Sequence, residues 1–375
     1  MTTQFFTSNI FGAGTRTTVT DNNGVYVAGG VTVGSTDDYG ITAGGMNISI
    51  DVDGTLYGAL GGLKVTGSSS MVMLIGENGS IGADLVSGSA IEATDFGGKI
   101  ENHGLLKGEH AIEFFGQIDA EIANYGSMST DENAISLDQS TTGMVQFFNY
   151  GEMISDNGIS TLYDSQGKTS DFVINSGVIN GLVDLGAGGD LYIGTDAKVA
   201  DAGLFSLILQ LETNLGKIAS AVNGGGGNDM LLGGKFTDFF LGGGARNQIN
   251  GEGARDYLIG GLGGDHIIGG KGGDIFAYQS VADSRGKKVD LIEDFSAKQN
   301  DHFDFTAIDA NAGKVDNQAF KFIGDKQFSG KPGELRFDFA KGDTYIYGNI
   351  DGDKQAEFEI RLDGKIELHH SDFML

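Results

Sequence analysis

The chain of 375 residues contains no cysteine, no tryptophan and a single proline. Without cysteine there can be no disulfide bond. No stretch is long and apolar enough to cross a bilayer as a helix. The first residues, MTTQFFTSNIFGAG, lack the basic segment and the apolar run of a cleaved signal peptide. Taken alone, this N-terminus would indicate a cytoplasmic protein.

Basic residues are also scarce. The chain has 24 lysines and arginines against 51 acidic residues, which gives a formal net charge of -27. This balance argues against nucleic acid and anionic membranes as partners, because both require a basic surface, and it favours cations. The 64 glycines, together with an apolar content of 39%, are typical of repetitive β-structure rather than of an ordinary mixed globular protein.

Residues 224–277 divide into six consecutive nine-residue units, GGGGNDMLL, GGKFTDFFL, GGGARNQIN, GEGARDYLI, GGLGGDHII and GGKGGDIFA. The sixth position always carries an acid or its amide, and the eighth a large apolar residue. Glycines allow tight turns at positive φ that expose carbonyl oxygens, and the acid adds a hard anionic oxygen. Calcium prefers such a shell of oxygen ligands.

This pattern resembles the calcium-binding nonapeptide repeat of RTX proteins. The resemblance implies that two units form one eighteen-residue turn of a flattened parallel β-roll, with the apolar residue of each short strand pointing inward. Loops on one side of the roll would then be eighteen residues apart. Acids that face each other repel without a metal ion, so we expect the roll to form only when calcium is plentiful.

The predicted ligands of several Ca²⁺ ions are sixth-position side chains and glycine carbonyls. They are Asp229, Asp238, Asn247, Gly251, Gly253, Asp256, Asp265, Gly270, Gly272, Asp274 and Asp283. On the side of units one, three and five, Asn247 is a neutral ligand. On the other side, Phe236 replaces a glycine in unit two. The best site is therefore expected between units four and six, and Asp283, eighteen residues beyond Asp265, suggests a further site next to the C-terminal domain.

A second, looser repeat covers residues 24–190. Its clear copies are IENHGLL (Ile100–Leu106), IANYGSM (Ile122–Met128), FNYGEMI (Phe148–Ile154) and INSGVIN (Ile174–Asn180), with weaker copies around Gly54 and Gly79. A period of 22 to 26 residues indicates one coil of a right-handed parallel β-helix. Because the coil length varies, an antiparallel β-sandwich stays open as an alternative. The asparagines could form an internal ladder or occupy left-handed turns.

The two repeats are separated by a transitional region. Within Leu182–Ile193, GAGGDLY looks like a degenerate calcium unit. The segment that follows, DAGLFSLILQLETNLG, could be a helix with Asp201 as its N-cap or another strand coil. The predicted organisation is all-β, with a β-helix over 1–200, a linker or cap over 201–223, a calcium-binding β-roll over 224–277 and a separate C-terminal domain over 278–375.

After Ala277 the repeat stops. The segments DIFAYQSVADS, VDLIEDFSAKQNDHFDF, FSGKPGELRF, YGNIDGDKQAEFEIRL and the terminal HHSDFML then follow in order. They resemble the C-terminal domain of serralysin-type secreted proteases over roughly residues 220–375. The resemblance implies a β-sandwich after the roll, export through a type I ABC transporter and an uncleaved C-terminal signal, for which the Asp372–Leu375 ending is typical. It therefore replaces the cytoplasmic interpretation with an extracellular one.

The chain contains no HExxH zinc motif, since none of its six histidines is followed by glutamate. The first hypothesis for its function is therefore a non-catalytic secreted protein whose β-helix binds a surface, a glycan or a second copy of itself.

The alternative hypothesis is a polysaccharide lyase or uronate epimerase. That chemistry needs a cation to neutralise the substrate carboxylate and a base near the abstracted proton. Only six of the basic residues lie in residues 1–200, and they are scattered singly. A groove that gathered Lys99 or Lys107 with His103, His110 or Tyr125 would favour the enzyme.

Overall fold

A computed structural model describes residues 2–83, 88–155, 161–165, 167–194, 197, 218–311 and 313–375. Its contacts divide the chain into two compact units, Met1–Thr213 and Asn214–Leu375. The helix or coil predicted over 201–216 lies outside the described residues. Within those residues, no helix is long and apolar enough to span a membrane.

The first unit consists of short strands. They are β1 (Thr2–Phe6), β2 (Ile10–Gly12), β3 (Thr17–Val19), β4 (Asn23–Val27), β5 (Thr32–Ser35), β6 (Tyr39–Met46), β7 (Ser49–Val52), β8 (Thr55–Gly58), β9 (Gly61–Ile75), β10 (Ser80–Ala83), β11 (Ile91–Asn102), β12 (Leu105–Gly108), β13 (Ile112–Phe115), β14 (Gln117–Asn124), β15 (Ser127–Thr130), β16 (Ile135–Leu137), β17 (Thr142–Asn149), β18 (Glu152–Ser155), β19 (Thr161–Ser165), β20 (Lys168–Asn175), β21 (Val178–Asn180), β22 (Leu182–Asp184) and β23 (Leu191–Ile193).

Each coil contributes to three parallel ladders. The first contains β1, β4, β7, β9, β11, β14, β17, β20 and β23. The second contains β2, β5, β8, β10, β12, β15, β18 and β21. The third contains β3, β6, β9, β11, β13, β16, β19 and β22. The predicted parallel β-helix is thus confirmed, and the antiparallel sandwich is excluded for this unit.

The core of this unit is a set of stacked apolar side chains, one from each strand of a ladder. Alternate residues of a strand point to opposite faces, so the inward set recurs with a period of two. In the first ladder the inward stack is at most 1% exposed and consists of Val25, Ile50, Met73, Ile100, Ile122, Phe147 and Val173.

The asparagines of the repeat form an internal ladder. Asn102, Asn124, Asn149 and Asn175 are at most 1% exposed. The Nδ2 atom of each of the first three donates to Oδ1 of the next asparagine at 2.8 to 2.9 Å. None of the four has a positive φ. The structure therefore decides between the two roles that the sequence left open.

The glycine of each copy is required by the close approach of successive coils. A Cβ atom on Gly126 would lie 2.2 Å from the carbonyl oxygen of Gly104, and one on Gly151 would lie 2.1 Å from that of Gly126. Backbone atoms cannot move aside as the end of a flexible side chain can, so any larger residue would push the coils apart.

We expect Asn124→Ala to destabilise the first unit, because it leaves a buried donor on Asn102 and a buried acceptor on Asn149 without their partner. The expected loss is about 1–3 kcal/mol for each unsatisfied group. The measurement is thermal unfolding in calcium, with the exposed Asn78→Ala as the control. Equal melting temperatures for the two variants would contradict a stabilising ladder.

The second unit begins with a two-sided roll and ends in a different arrangement. Its strands are β24 (Ile218–Asn223), β25 (Met230–Leu232), β26 (Thr237–Gly244), β27 (Gln248–Asn250), β28 (Tyr257–Leu262), β29 (His266–Ile268), β30 (Ile275–Ala277), β31 (Asp290–Ile292), β32 (His302–Asp304), β33 (Lys321–Phe322), β34 (Glu334–Ala340), β35 (Asp343–Asn349), β36 (Phe358–Leu362) and β37 (Phe373–Met374). Short 3₁₀ helices cover Ala297–Gln299 and His370–Asp372.

Alternate nine-residue units stack on each other with parallel pairing. Leu231 is in register with Ile249, and Ile249 with Ile267, on one side of the roll. On the other side Phe240 pairs with Leu258, which pairs with Phe276. Each step is eighteen residues, as the repeat predicts, and all of these side chains are at most 1% exposed.

The C-terminal segment does not confirm the expected β-sandwich. Strands β34, β35 and β36 form an antiparallel meander. The last of these also pairs in parallel with β31, and the terminal strand β37 pairs in parallel with β32. The end of the chain therefore extends both ladders of the roll. This is possible because β31 and β32 each have an edge with which a further strand can pair.

Candidate metal centre

The sixth-position side chains form two buried columns, each at most 2% exposed. The odd column contains Asp229, Asn247, Asp265 and Asp290, and the even column contains Asp238, Asp256, Asp274 and Asp301. Within each column, Oδ1 of one residue accepts the backbone N–H of the residue one turn earlier, at 2.7 to 3.0 Å. The columns therefore bind consecutive turns together.

In several of these aspartates the second carboxylate oxygen, Oδ2, takes no part in these hydrogen bonds. Oδ2 of Asp256, Asp265 and Asp274 is buried and has no hydrogen-bond partner among the residues that the structure describes. Burial raises the pKa of Asp256 to about 9 and that of Asp274 to about 7. An ionised carboxylate in such a place is costly unless a positive charge lies beside it. A bound cation would supply that charge.

The glycine loops leave space beside these oxygens. A Cβ atom on Gly251 would lie 2.3 Å from Oδ2 of Asp256, and one on Gly269 would lie 2.6 Å from Oδ2 of Asp274. Gly270 and Gly272 have φ angles of 96° and 149°, which glycine adopts without strain. The donor set of carboxylate and carbonyl oxygens fits calcium.

Some loop positions hold residues other than glycine in the same left-handed conformation. They are Ala245, Glu252 and Ala254, with φ angles of 67°, 71° and 82°. A left-handed conformation costs a non-glycine residue about 1–2 kcal/mol. In unit two, by contrast, Phe236 is not among the residues with positive φ. The left-handed turn at the fourth position of unit four, formed by Ala254, therefore has no counterpart in unit two.

The two columns differ in charge. The amide Nδ2 of Asn247 lies 3.4 Å from the carbonyl oxygens of both Gly244 and Gly260, so the amide donates toward oxygens that would otherwise face a cation. In the even column, Asp256 and Asp274 are both carboxylates, and the negative charge of Asp274 raises the pKa of Asp256 further. The ranking that places the site between units four and six first stays a prediction.

Asp283 is not the next member of its column. The backbone N–H of Asp265 donates to Oδ1 of Asp290, 25 residues further on. The eighteen-residue step fails because a longer connection precedes β31. Oδ2 of Asp283 accepts the N–H groups of Gln279 and Ser280 instead, at 2.8 and 3.0 Å. Burial raises the pKa of Asp290 to about 8, and the charge of Asp283 adds to this rise. The assignment of Asp283 as a ligand stays a prediction.

The sequence interpretation missed Asp290, Asp294 and Asp301. Both oxygens of Asp294 accept backbone N–H groups of the sixth loop, from Gly269 and Gly270. A signal was present, because the segments NDHFD and VDLIE keep the spacing of NDMLL, an acid two residues before a large apolar side chain. Both segments lie after the six consecutive nine-residue units, so counting in steps of nine or eighteen residues does not lead to them.

The degenerate unit GAGGDLY repeats part of this arrangement within the first unit. Oδ1 of Asp190 accepts the backbone N–H of Asp171 at 2.8 Å, and both residues are at most 3% exposed. Gly186 has a φ angle of 78°. The segment thus shares a buried acid and a left-handed glycine with the roll loops, and its assignment as a calcium unit stays a prediction.

The residues that would favour an enzyme come together only in part. The Lys99 ammonium lies 2.8 Å from Glu121, and His103 Nε2 lies 2.7 Å from Glu101. His103 also stacks on Tyr125. His110 is buried and its Nδ1 accepts the N–H of Asn133 at 3.3 Å. Because the positive charge is already paired with a carboxylate, this cluster does not support the lyase or epimerase hypothesis.

The repeats, the two columns and the parallel roll define an RTX repeat protein. The family model for the Peptidase M10 serralysin C terminal matches residues 18–375, and the chain belongs to this family. No curated protein matches it. Among solved structures, the chain is similar to the AlgE6R3 subunit of the mannuronan C5-epimerase from Azotobacter vinelandii. The identity is 25%, over 39% of this chain and 78% of the other, with a TM-score of 0.29.

Asp256→Ala is expected to weaken calcium binding more than Asn247→Ala, because affinity rises with ligand charge when the geometry is comparable. Both side chains are fully buried and each accepts one backbone N–H, which makes them a matched pair. Calorimetric titration of the two variants decides the ranking. Equal losses, or a larger loss for Asn247→Ala, would show that carboxylate count does not determine site strength.

Proposed function

We propose that this protein is a secreted calcium-binding RTX protein that folds outside the cell, and that its first unit is a non-catalytic binding module for a surface, a glycan or a second copy of itself. The observation that carries the proposal is the pair of buried columns, in which Oδ2 of Asp256, Asp265 and Asp274 has no partner among the described residues. Several Ca²⁺ ions, held by these carboxylates and by carbonyls of the glycine loops, would neutralise them.

Calcium would act as a condition for folding. An aspartate column without cations places several carboxylates in a buried row, which opposes closure of the roll. Binding a cation to the folded state alone stabilises it by mass action. Extracellular calcium modules bind with dissociation constants of about 10⁻⁴–10⁻³ M, so the same chain would stay open at the low calcium level inside a cell.

Export would depend on a type I ABC transporter. Membership of the serralysin C-terminal family supports this partner. The terminal Phe373 is 6% exposed and packs on Phe322 with ring centroids 4.9 Å apart. A transporter that recognises these last residues would have to do so before they fold onto the roll.

The first unit supports a binding role by its construction. Its coils stack in parallel ladders and present long outer faces, which is how solenoid proteins build extended binding surfaces. The clustered Lys99 and His103 are each paired with a glutamate. We therefore place its function in recognition rather than in catalysis.

Removal of calcium with EDTA is expected to reduce the β-sheet circular dichroism signal of the full chain, and millimolar calcium to restore it, because the roll of residues 224–277 requires cations. Magnesium is the control ion, since it demands a smaller octahedral site and keeps its waters. An unchanged spectrum and an unchanged melting temperature in EDTA would sink this part of the proposal.

Deletion of residues 326–375 is expected to leave the protein inside a host that carries a matching type I exporter, because the signal is assigned to the C-terminus. A deletion of equal length, residues 2–51, is the control and should still be exported. Appearance of the C-terminally truncated chain in the medium would refute the assignment.

A further inference from the structure

Three aromatic rings form an exposed column on the first unit, which we call the ring column: His103, Tyr125 and Tyr150. The ring centroids are 4.7 and 4.8 Å apart and the planes lie within 10° of each other. Tyr125 is 48% exposed and Tyr150 is 41% exposed. The two tyrosines are not part of the buried core, so core packing does not explain why aromatic rings occupy these surface positions.

The ring column is held in place by the asparagine ladder. Each ring residue directly follows a buried asparagine of the ladder. The N–H groups of Tyr125 and Tyr150 donate to the carbonyls of Asn102 and Asn124, both at 2.7 Å. A ligand that meets these rings would therefore find them already in position, and little conformational entropy would be lost on binding.

The column ends abruptly at Tyr150. The next residue in register is Ser176, whose N–H donates to the carbonyl of Asn149 at 2.7 Å in the same way. Ser176 has no ring. Among the described residues, none stacks on the face of Tyr150 that is turned away from Tyr125. The position beyond Tyr150 is thus open for the ring of a ligand.

The charges around the column restrict what that ring can be. The Lys99 ammonium lies 2.8 Å from Glu121 and 4.0 Å from Glu101, so it is already paired. Near Tyr150, Glu152 is exposed and Ser176 carries a hydroxyl. A carboxylate and a hydroxyl suit the hydroxyl groups of a sugar, whereas an anionic ligand would be repelled. A pyranose ring has a C–H face that is complementary to the electron-rich face of an aromatic ring.

We infer that the end of the ring column is a binding site for a neutral polysaccharide, with one sugar ring stacked on Tyr150 above Ser176. This inference rests on the proposed binding role of the first unit. The remaining rings stabilise Tyr150 from below, since each aromatic pair contributes about 0.5–1.5 kcal/mol beyond its buried area. Neighbouring sugars of the chain would continue along the outer surface.

The test is affinity electrophoresis of the full chain in calcium through gels containing hydroxyethylcellulose, dextran or galactomannan, with alginate as the anionic comparison. We expect at least one neutral polymer to retard the protein and alginate not to. Tyr150→Ala should weaken the retarding interaction at least about tenfold. Phe5→Ala, which removes an aromatic ring that is 65% exposed elsewhere on the first ladder, is the control and should leave it unchanged.

A second variant, Ser176→Tyr, distinguishes binding on the free face of Tyr150 from binding along the exposed edges of the three rings. The new ring would cover the free face of Tyr150 and remove the Ser176 hydroxyl, the two groups that form the proposed site, so binding should be lost while the melting temperature is kept. This variant decides the question even if Tyr150→Ala fails to fold. Retention of binding by Ser176→Tyr, or no retardation by any neutral polymer, would overturn the inference. Calcium-dependent folding, measured on the same samples, tests the proposed function separately.

Discussion

A polar side chain that repeats at the spacing of neighbouring parallel strands can hydrogen-bond to the side chains of its own copies only if it both donates and accepts. The first unit uses asparagine, which donates through Nδ2 and accepts through Oδ1, so each copy satisfies the next. The second unit uses aspartate, which when ionised can only accept. One of its oxygens takes a backbone N–H and the other is left over. The same geometry therefore gives a ladder of mutually bonded side chains in one unit and columns with unpartnered carboxylate oxygens in the other.

This contrast explains how one chain can contain two solenoids with different requirements. The amide ladder and the apolar stacks of the first unit are complete without a ligand. In the roll, the eighteen-residue turn is too short to enclose a large apolar core, and each nine-residue unit contributes one large inward side chain.

The sequence predicted the regular parts of the molecule well. The register of the roll followed from the phase of its glycines and acids, because one unbroken period leaves no freedom in the pairing. The parallel β-helix followed from the spacing of Gly104, Gly126, Gly151 and Gly177. The role of the asparagines could not be predicted, since a buried rung and a left-handed turn both favour this residue.

Departures from the period were the places where prediction failed. Asp290 and Asp301 join the columns after connections of a different length, and a rule based on counting led to Asp283 instead. The expected C-terminal β-sandwich was not confirmed, because β36 and β37 pair with the roll ladders rather than forming a second sheet. Pairing between strands far apart in the chain depends on which strand edges in the folded protein are still unpaired, and a local sequence pattern does not predict this.

The asparagine ladder has one more property, which is its direction. Every amide donates toward the C-terminal coils, from Asn102 through Asn124 and Asn149 to Asn175. The side-chain dipoles therefore align along the axis of the coil, as peptide dipoles do in a helix, and each polarises its neighbour. The last amide lies 3.4 Å from the buried hydroxyl of Tyr192, which lies at the positive end of this row. The interior of the first unit thus carries an axial electric field that its formal charges do not reveal.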